Sequence, residues 1–575
     1  MREISQISFE KDVPCRLRDG LTLYANVYRP QQDGAFPVLL SRLPYNKNLP
    51  EFSHRYIDPF RLAEAGYVVI IQDVRGRFAS EGEFEPFLHE ANDGYDVVEW
   101  AAGLPYCNGE VGMFGLSYYG FTQLYAAAEH PPSLKTIFPA QAGSDLRDGL
   151  FYRGGAFEWG LFATWMLDSI ALNLVERQKP KALPLAKQQI AADLNKVNEW
   201  LNYTPLNEWP PLTKHKPAGD LFKQYITQEI SGDFFARTTI KQELKELDIP
   251  AYHLAGWYDC FLGPTLSNYQ EMNKSSQQQK LIIGPWGHGD FSAVQGERFF
   301  GSAAAGDWID QQTDITQLHI DWFDCWLKEG SHPVLADDAP VKLFTMGINE
   351  WRSENEWPLQ RAEYVPFFLH SEGEANVHSG QLNTIVPGDE PADVYTYDPQ
   401  HPVPTHGGSG LFYQGANAGP VDQRRVEARS DVLVYTSERM TEPLEVTGPV
   451  IVHLWAATDA ADTDFTAKLV DVFPDGRAYN LTDGIIRAKH RNGYQQIAAL
   501  EEEAVHYQID LWATSNVFLP GHSIRIEIAS SNFPRYDINP NTGKSTVDSD
   551  VMRQAKQTVY HQMEFPSHVV LPIIK

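Results

Sequence analysis

The chain of 575 residues is 43% hydrophobic and 21% charged, which is material for packed cores, and its length suggests about three to four domains. A net charge of −28 opposes binding to nucleic acid or anionic membranes, and no apolar run reaches the roughly 18 residues a membrane span needs. Cys15, Cys107, Cys260 and Cys325 are scattered without a Cys-x-x-Cys pair and Met1–Gln6 holds no apolar signal core, so neither a disulfide framework nor a metal site is expected and a reduced, cytoplasmic setting fits.

Strand-like runs at Leu21–Tyr28, Phe36–Ser41, Tyr67–Asp73 and Val111–Ser117 alternate with helical stretches near Asp58–Ala65, Asp93–Ala102 and Gly120–His130. Such alternation predicts a mostly parallel sheet covered on both faces. From 146 to 243 strand signals give way to helical patterns rich in Leu, Ala, Lys and Gln, as in Leu185–Trp200, and an all-helical insert there would cover a site as a cap. Sheet texture returns from 244 to 354. Beyond it, short strands with Gly, Pro and Asn turns, such as Val432–Thr436, Val450–Ala456 and Ser523–Ala529, read as an all-β sandwich. The expected fold class is therefore α/β, with a sheet domain in two parts (1–145 and 244–354), a helical cap (146–243) and a C-terminal β domain (355–575).

The chemistry is signalled first by Gly115-Leu116-Ser117-Tyr118-Tyr119-Gly120. The strict G-x-S-x-G elbow wants glycine at 119; here tyrosine stands there and glycine follows at 120. An apolar strand running straight into a helix must still turn sharply at Ser117, lifting its Oγ above the sheet, with Gly115 and Gly120 relieving the crowding. An ordinary strand-to-helix serine would look similar, so the motif needs partners. Pro250–Gly256 is a short apolar run followed by Trp257-Tyr258-Asp259, and Lys280–Gly284 leads into Pro285-Trp286-Gly287-His288. Nucleophile, acid and base thus fall on strand exits in the order Ser117, Asp259, His288, and strand carboxyl ends are where open α/β sheets hold ligands. His288 would take the proton of Ser117 and return it to the leaving group, while Asp259 fixes the imidazole. The backbone N–H of Tyr118 follows the nucleophile and is one oxyanion donor by elbow geometry. No phosphate loop, His-Glu-x-x-His helix or paired-carboxylate pattern appears, so no cofactor is called for. Asp462-Thr463-Asp464 lacks the remaining ligands of a calcium loop. Cys260 beside Asp259 is not read as a nucleophile, and Asp73-Val74-Arg75-Gly76-Arg77 is read as an ion-pair network tying a loop near the site.

These segments, with Ser41–Lys47, Gln72–Gly82, Asp93–Asp96, Glu445–Pro449 and Asp462–Leu469, resemble the cocaine esterase-like CocE/NonD hydrolases, which are related to X-Pro dipeptidyl-peptidases and α-amino-acid ester hydrolases. The resemblance spans nearly the whole chain, and that family's elbow carries the same Ser-Tyr-x-Gly form. It implies an α/β-hydrolase domain with a helical cap and a C-terminal jelly-roll-like domain. It also implies the Tyr45 hydroxyl as second oxyanion donor and cap aromatics, of which Phe151 and Trp165 are the candidates, lining the acyl pocket. Phe261 is a further pocket candidate because it sits on the loop of Asp259.

Family members selecting α-amino acyl groups carry carboxylates just after the acid; here those positions are Cys260, Phe261 and Leu262. The expectation is therefore a serine hydrolase that cleaves neutral carboxylic acyl esters through an acyl-enzyme on Ser117. Amide-bond acylase or X-Pro dipeptidyl-peptidase-like activity is the alternative, and a non-catalytic binding protein on a hydrolase scaffold is the reading from another class. The expected partner is a small acyl ester or amide, with homo-oligomer formation left open.

Overall fold

The computed structural model describes residues 6–276, 278–328, 338–377, 380–411, 418–498, 500 and 503–575; Met1–Ser5 of the amino-terminal reading lie outside them. Ten strands form the sheet that carries the site: β1 (Ile7–Arg16), β2 (Thr22–Pro30), β3 (Phe36–Leu43), β4 (Val68–Asp73), β5 (Cys107–Leu116), β6 (Leu134–Ala140), β7 (Ala251–Tyr258), β8 (Gln279–Gly287), β9 (Val341–Thr345) and β10 (Glu350–Glu354). They lie in the order β1-β2-β4-β3-β5-β6-β7-β8-β9-β10. Every pair from β4 to β9 is parallel. The outer pairs β1–β2, β2–β4 and β9–β10 are antiparallel.

The central strands are apolar on both faces because both faces are covered. β4 and β7 are buried along their whole length. The covering helices are α1 (Glu90–Ala102), α2 (Tyr118–Ala128), α3 (Leu262–Met272) and α4 (Ile315–Leu327). Close approach is bought with glycine: a Cβ on Gly94 of α1 would lie 2.6 Å from the Cβ of Ala126 on α2, and one on Gly112 of β5 would lie 2.7 Å from the Phe323 ring of α4.

Between β6 and β7 the chain leaves the sheet and forms helices at Trp159–Trp165, Ala171–Gln178, Leu183–Leu194, Lys216–Ile226 and Asp233–Thr238, with a π-helical turn at Met166–Ile170. Where the sequence signals no strands, a small hairpin pairs Tyr152–Arg153 with Ala156–Phe157; two residues per strand are too few to leave a periodic pattern. Beyond β10, eleven strands among the described residues between Glu363 and Ile574 join in one hydrogen-bonded network. Leu444–Thr458 is its spine and pairs with Val505–Phe518, Ala555–Tyr560 and His568–Ile574. This β-rich region shares a core with the sheet domain: Trp257, Leu262 and Leu266 pack in one apolar cluster with Tyr507, Leu511 and Phe518.

The cap hairpin is docked on the β-rich region by buried charge. Asp483 accepts Arg153 at 3.2 Å and Arg535 at 2.7 Å; Arg487 pairs with Asp464 at 2.9 Å and Asp537 at 2.8 Å. Burial opposes the charge of Asp483, yet Arg535 and Arg153 hold its carboxyl below the ordinary range. The Arg153 guanidinium also lies 3.7 Å from the Trp512 ring centroid. Backbone contacts complete the joint: Arg487 N donates to Gly154 O at 2.7 Å, and Phe157 N to Asp537 Oδ1 at 2.8 Å. Gly154 has φ +54°, and a Cβ there would lie 2.0 Å from Ile485 O. Gly154→Ala is expected to strain the hairpin and force it off the strand Ala478–Arg487. Thermal unfolding should show a clearly lowered midpoint, and limited proteolysis should show earlier cleavage in the cap; an unchanged midpoint would contradict the joint as described.

Candidate active site

Ser117 follows β5 and precedes α2 with φ 62° and ψ −128°, a conformation a non-glycine residue holds only when its surroundings impose it. Those surroundings are small. A Cβ on Gly115 would lie 2.5 Å from Tyr119 O, and one on Gly120 would lie 2.5 Å from the Ala142 Cβ. Ser117 N donates to Ala140 O on β6 at 3.0 Å, and Ser117 O accepts from Gly120 N at 2.7 Å and Phe121 N at 3.0 Å. Tyr118 takes the first helical position, where its N–H has no acceptor within the helix. Its side chain is fixed below: the hydroxyl donates to Glu90 at 2.8 Å and accepts from Phe87 N at 2.9 Å, and Glu90 pairs with Arg42 at 3.1 Å.

Asp259 follows β7 and His288 follows β8, neighbours in the sheet. The two side chains meet with Nδ1 to Oδ1 at 2.6 Å, both buried. An imidazole that donates from Nδ1 carries its lone pair on Nε2. Cys260 Sγ lies 3.7 Å from Asp259 Oδ1. Burial, reinforced by Asp259, pushes its thiol well above the ordinary range.

Tyr45 follows β3. Its ring stacks on Phe52 at 5.0 Å and meets Tyr118 and Tyr119 edge-on. The hydroxyl accepts the Trp165 indole N–H at 3.1 Å. Burial pushes its pKa up to about 12, against the pull of Trp165, Arg55, Arg77 and the Ser117 hydroxyl, so it stays a protonated donor.

Ser117, Tyr45, Tyr118 and His288 line one cavity of about 410 Å³. Phe151, Trp165 and Phe261 line it too, so the structure brings every sequence-predicted residue to this space except Asp259, which lies behind His288. The buried wall is aromatic, with Phe87, Phe121 and Phe162 beside Phe151 and Phe261. The Phe261 ring stands edge-on to His288 at 5.3 Å and to Phe121 at 5.5 Å.

A family model of the X-Pro dipeptidyl-peptidase (S15 family) matches residues 19–290, and one of the X-Pro dipeptidyl-peptidase C-terminal non-catalytic domain matches 333–570. The cocaine esterase of Rhodococcus sp. (strain MB1 Bresler) is 41% identical over 577 residues, covering 99% of both chains. The chain belongs to the cocaine esterase-like CocE/NonD hydrolase family. It is a serine hydrolase of the carboxylic ester class. Two solved structures share the fold: an α-amino acid ester hydrolase, with TM-score 0.78 and 23% identity over 100% of this chain and 97% of that one, and a CocE/NonD family hydrolase from Staphylococcus aureus, with TM-score 0.70 and 21% identity over 99% and 94%. The match to the C-terminal domain begins at 333, whereas β9 and β10 still belong to the first sheet. Among the described residues no helix is long and apolar enough to cross a membrane.

In this CocE/NonD hydrolase the cavity also holds charges that sequence reasoning missed. Glu51, Arg55 and Asp168 line it and are exposed, at its mouth. Burial and the charge of Glu51 both raise the Asp168 carboxyl. Gln141 is a second omission. It has φ 46° and is wholly buried; its Nε2 donates to Gly287 O at 2.8 Å, and its Oε1 accepts from Gly289 N at 2.7 Å. One amide thus clamps the backbone on both sides of His288. In sequence it is a polar residue after a strand, with no signal to set it apart. Gln141→Glu would replace the donor with a second acceptor facing Gly287 O, and should release the loop. A fall in kcat of roughly tenfold or more is expected, with KM changed less; unchanged kcat in folded protein would show that the His288 loop is held otherwise.

Proposed function

We propose that Ser117 is the nucleophile of this esterase, His288 its general base and acid, and Asp259 the residue that orients and stabilises the imidazolium. The observation that carries this reading is a strained serine sharing a cavity with an imidazole whose Nδ1 is committed to a buried carboxylate at 2.6 Å. Nε2 accepts the Ser117 proton as Oγ bonds to the ester carbonyl carbon. The carbonyl oxygen becomes an alkoxide and receives hydrogen bonds from Tyr118 N–H and Tyr45 Oη–H. As it collapses, the bond to the leaving alkoxide breaks and His288 gives that oxygen the proton, leaving an acyl-enzyme. Water then gives a proton to His288 as its oxygen bonds to the acyl carbon; the resulting alkoxide collapses, the bond to Ser117 Oγ breaks, and His288 returns the proton to Oγ, releasing the acid.

The acyl group binds against the wall of Phe87, Phe121, Phe151, Phe162, Trp165 and Phe261. Apolar burial there is worth about 25 cal/mol per Å² removed from water, whereas an α-ammonium placed among these rings would lose hydration without a partner. Glu51 and Asp168 are the exposed acidic members of the same cavity lining. The division that goes with this reading is a sheet domain of 1–145 and 244–354, a cap of 146–243 and a β-sandwich, jelly-roll-like domain of 355–575. The free Cys15, Cys107, Cys260 and Cys325 support a cytoplasmic setting.

Ser117→Ala should fold normally and lose on the order of 10⁴ or more in kcat/KM; residual activity near the parent's would reject the assignment. Tyr45→Phe should cost about 10²–10³ in kcat with substrate affinity little changed. A phenylacetyl ester should be cleaved with higher kcat/KM than its phenylglycyl counterpart at neutral pH. The reverse preference would place an ammonium site in the pocket and favour amino-acyl substrates.

A further inference from the structure

We infer that Trp165 is a positioning residue: its indole N–H, presented by the cap, fixes the Tyr45 hydroxyl with its proton turned toward the oxyanion site, and Arg77 holds the two residues in register. The inference rests on the reading of Tyr45 as an oxyanion donor and adds what makes it one.

The direction of the bond follows from donor chemistry. An indole N–H only donates, so in the 3.1 Å contact Tyr45 Oη is the acceptor. A phenol hydroxyl has one proton, and conjugation holds that proton near the ring plane, on one side or the other. The ring itself is fixed by Phe52 stacked at 5.0 Å and by the edges of Tyr118 and Tyr119. With the indole N–H directed at the oxygen, the phenol proton is turned to the opposite side of the hydroxyl; Tyr45 and Ser117 line the same cavity, and the inference places that side at the oxyanion site. Without the indole donor, both in-plane orientations are open, and one of them offers the developing oxyanion no proton.

The register follows from Arg77. This guanidinium is wholly buried with no carboxylate in contact among the described residues. Nε donates to Pro44 O at 2.8 Å, on the residue before Tyr45. Nη2 and Nη1 donate to Ser169 O at 2.8 Å and Ile170 O at 3.2 Å. Those carbonyls lie in the π-helical turn Met166–Ile170 that follows Trp165. π-turns inside α-helices leave backbone groups in unusual positions and mark functional segments. One cation therefore ties the loop of Tyr45 to the cap segment of Trp165. From sequence the Asp73–Arg77 loop reads as an ion-pair network. Asp73 and Arg75 do pair, with Lys47 at 2.8 Å and Asp93 at 2.6 Å, but Arg77 spends its donors on these carbonyls.

The consequence is that the cap must be seated for the oxyanion site to be complete. The test is a double-mutant cycle of Trp165→Phe and Tyr45→Phe on a neutral aryl acyl ester. Rates are normalised to sites titrated with a fluorophosphonate, so that misfolded protein does not count. Trp165→Phe keeps an aromatic ring in the wall and removes the donor. It should lower kcat roughly tenfold with KM within about twofold, the loss expected for one hydrogen bond. In the Tyr45→Phe background the same change should cost little more, because its target is gone. A raised KM with unchanged kcat, or an equal kcat loss in both backgrounds, would reduce Trp165 to a wall of the pocket and overturn the inference. Unchanged kcat in Tyr45→Phe alone would remove the oxyanion reading of Tyr45 itself, and the inference with it.

Discussion

The arrangement depends on a single backbone constraint, the positive φ at Ser117. A residue with a side chain resists that conformation, so the chain around it must leave no alternative. It does so with small residues: Gly115 under Tyr119, and Gly120 against Ala140 and Ala142. Once the turn is imposed, other geometry follows. The Ser117 hydroxyl faces the cavity, Tyr118 N–H is left without a helical partner, and α2 starts at the strand's end, packed on α1 at Gly94. Parallel pairing of β5 through β8 then carries the exits of β7 and β8 to the same rim, which is why Asp259 and His288 meet although 29 residues separate them.

The cavity has two kinds of wall. The sheet domain supplies the chemistry and the rings of Phe87, Phe121 and Phe261, and the cap supplies those of Phe151, Phe162 and Trp165. A cap made of short helices is a weak unit by itself, and this one is fastened from outside. Arg153 and Glu158 of the hairpin region meet Asp483 and Arg535 of the β-rich region. Leu206 and Asn207 donate backbone hydrogen bonds to Thr546 and Val547. Removing one partner from such a buried network leaves the other charge desolvated, at a cost of about 3–5 kcal/mol. The C-terminal region thus braces the segment that carries Phe151 and Trp165 through contacts at Arg153, Phe157 and Glu158.

The sequence disclosed those parts of the fold whose pattern is local. Apolar runs ending in glycine marked β5, β7 and β8, and residues on their exits were the ones the fold brings together. Helical texture marked the cap as a class, without the hairpin at Tyr152–Phe157. What stayed hidden depends on which distant segment a side chain meets. Gln141 reads as a loop polar residue until the His288 loop lies beside it. Glu51, Arg55 and Asp168 read as surface charge until the cap closes over Ser117. Arg75 and Arg77 stand two residues apart in one motif; one finds two carboxylates, Asp19 and Asp93, and the other three carbonyls, a difference no spacing rule contains.

The central claim is that ester cleavage passes through an acyl group on Ser117, and rapid quenching tests it most directly. The enzyme would be mixed with a slowly deacylating aryl acyl ester, stopped in acid within the first turnover, digested and mapped by tandem mass spectrometry. The account predicts a transient adduct of the acyl mass on the peptide containing Ser117, decaying as the free acid appears. Turnover with the adduct on another residue, or without an adduct under conditions where leaving-alcohol release shows a burst, would contradict it.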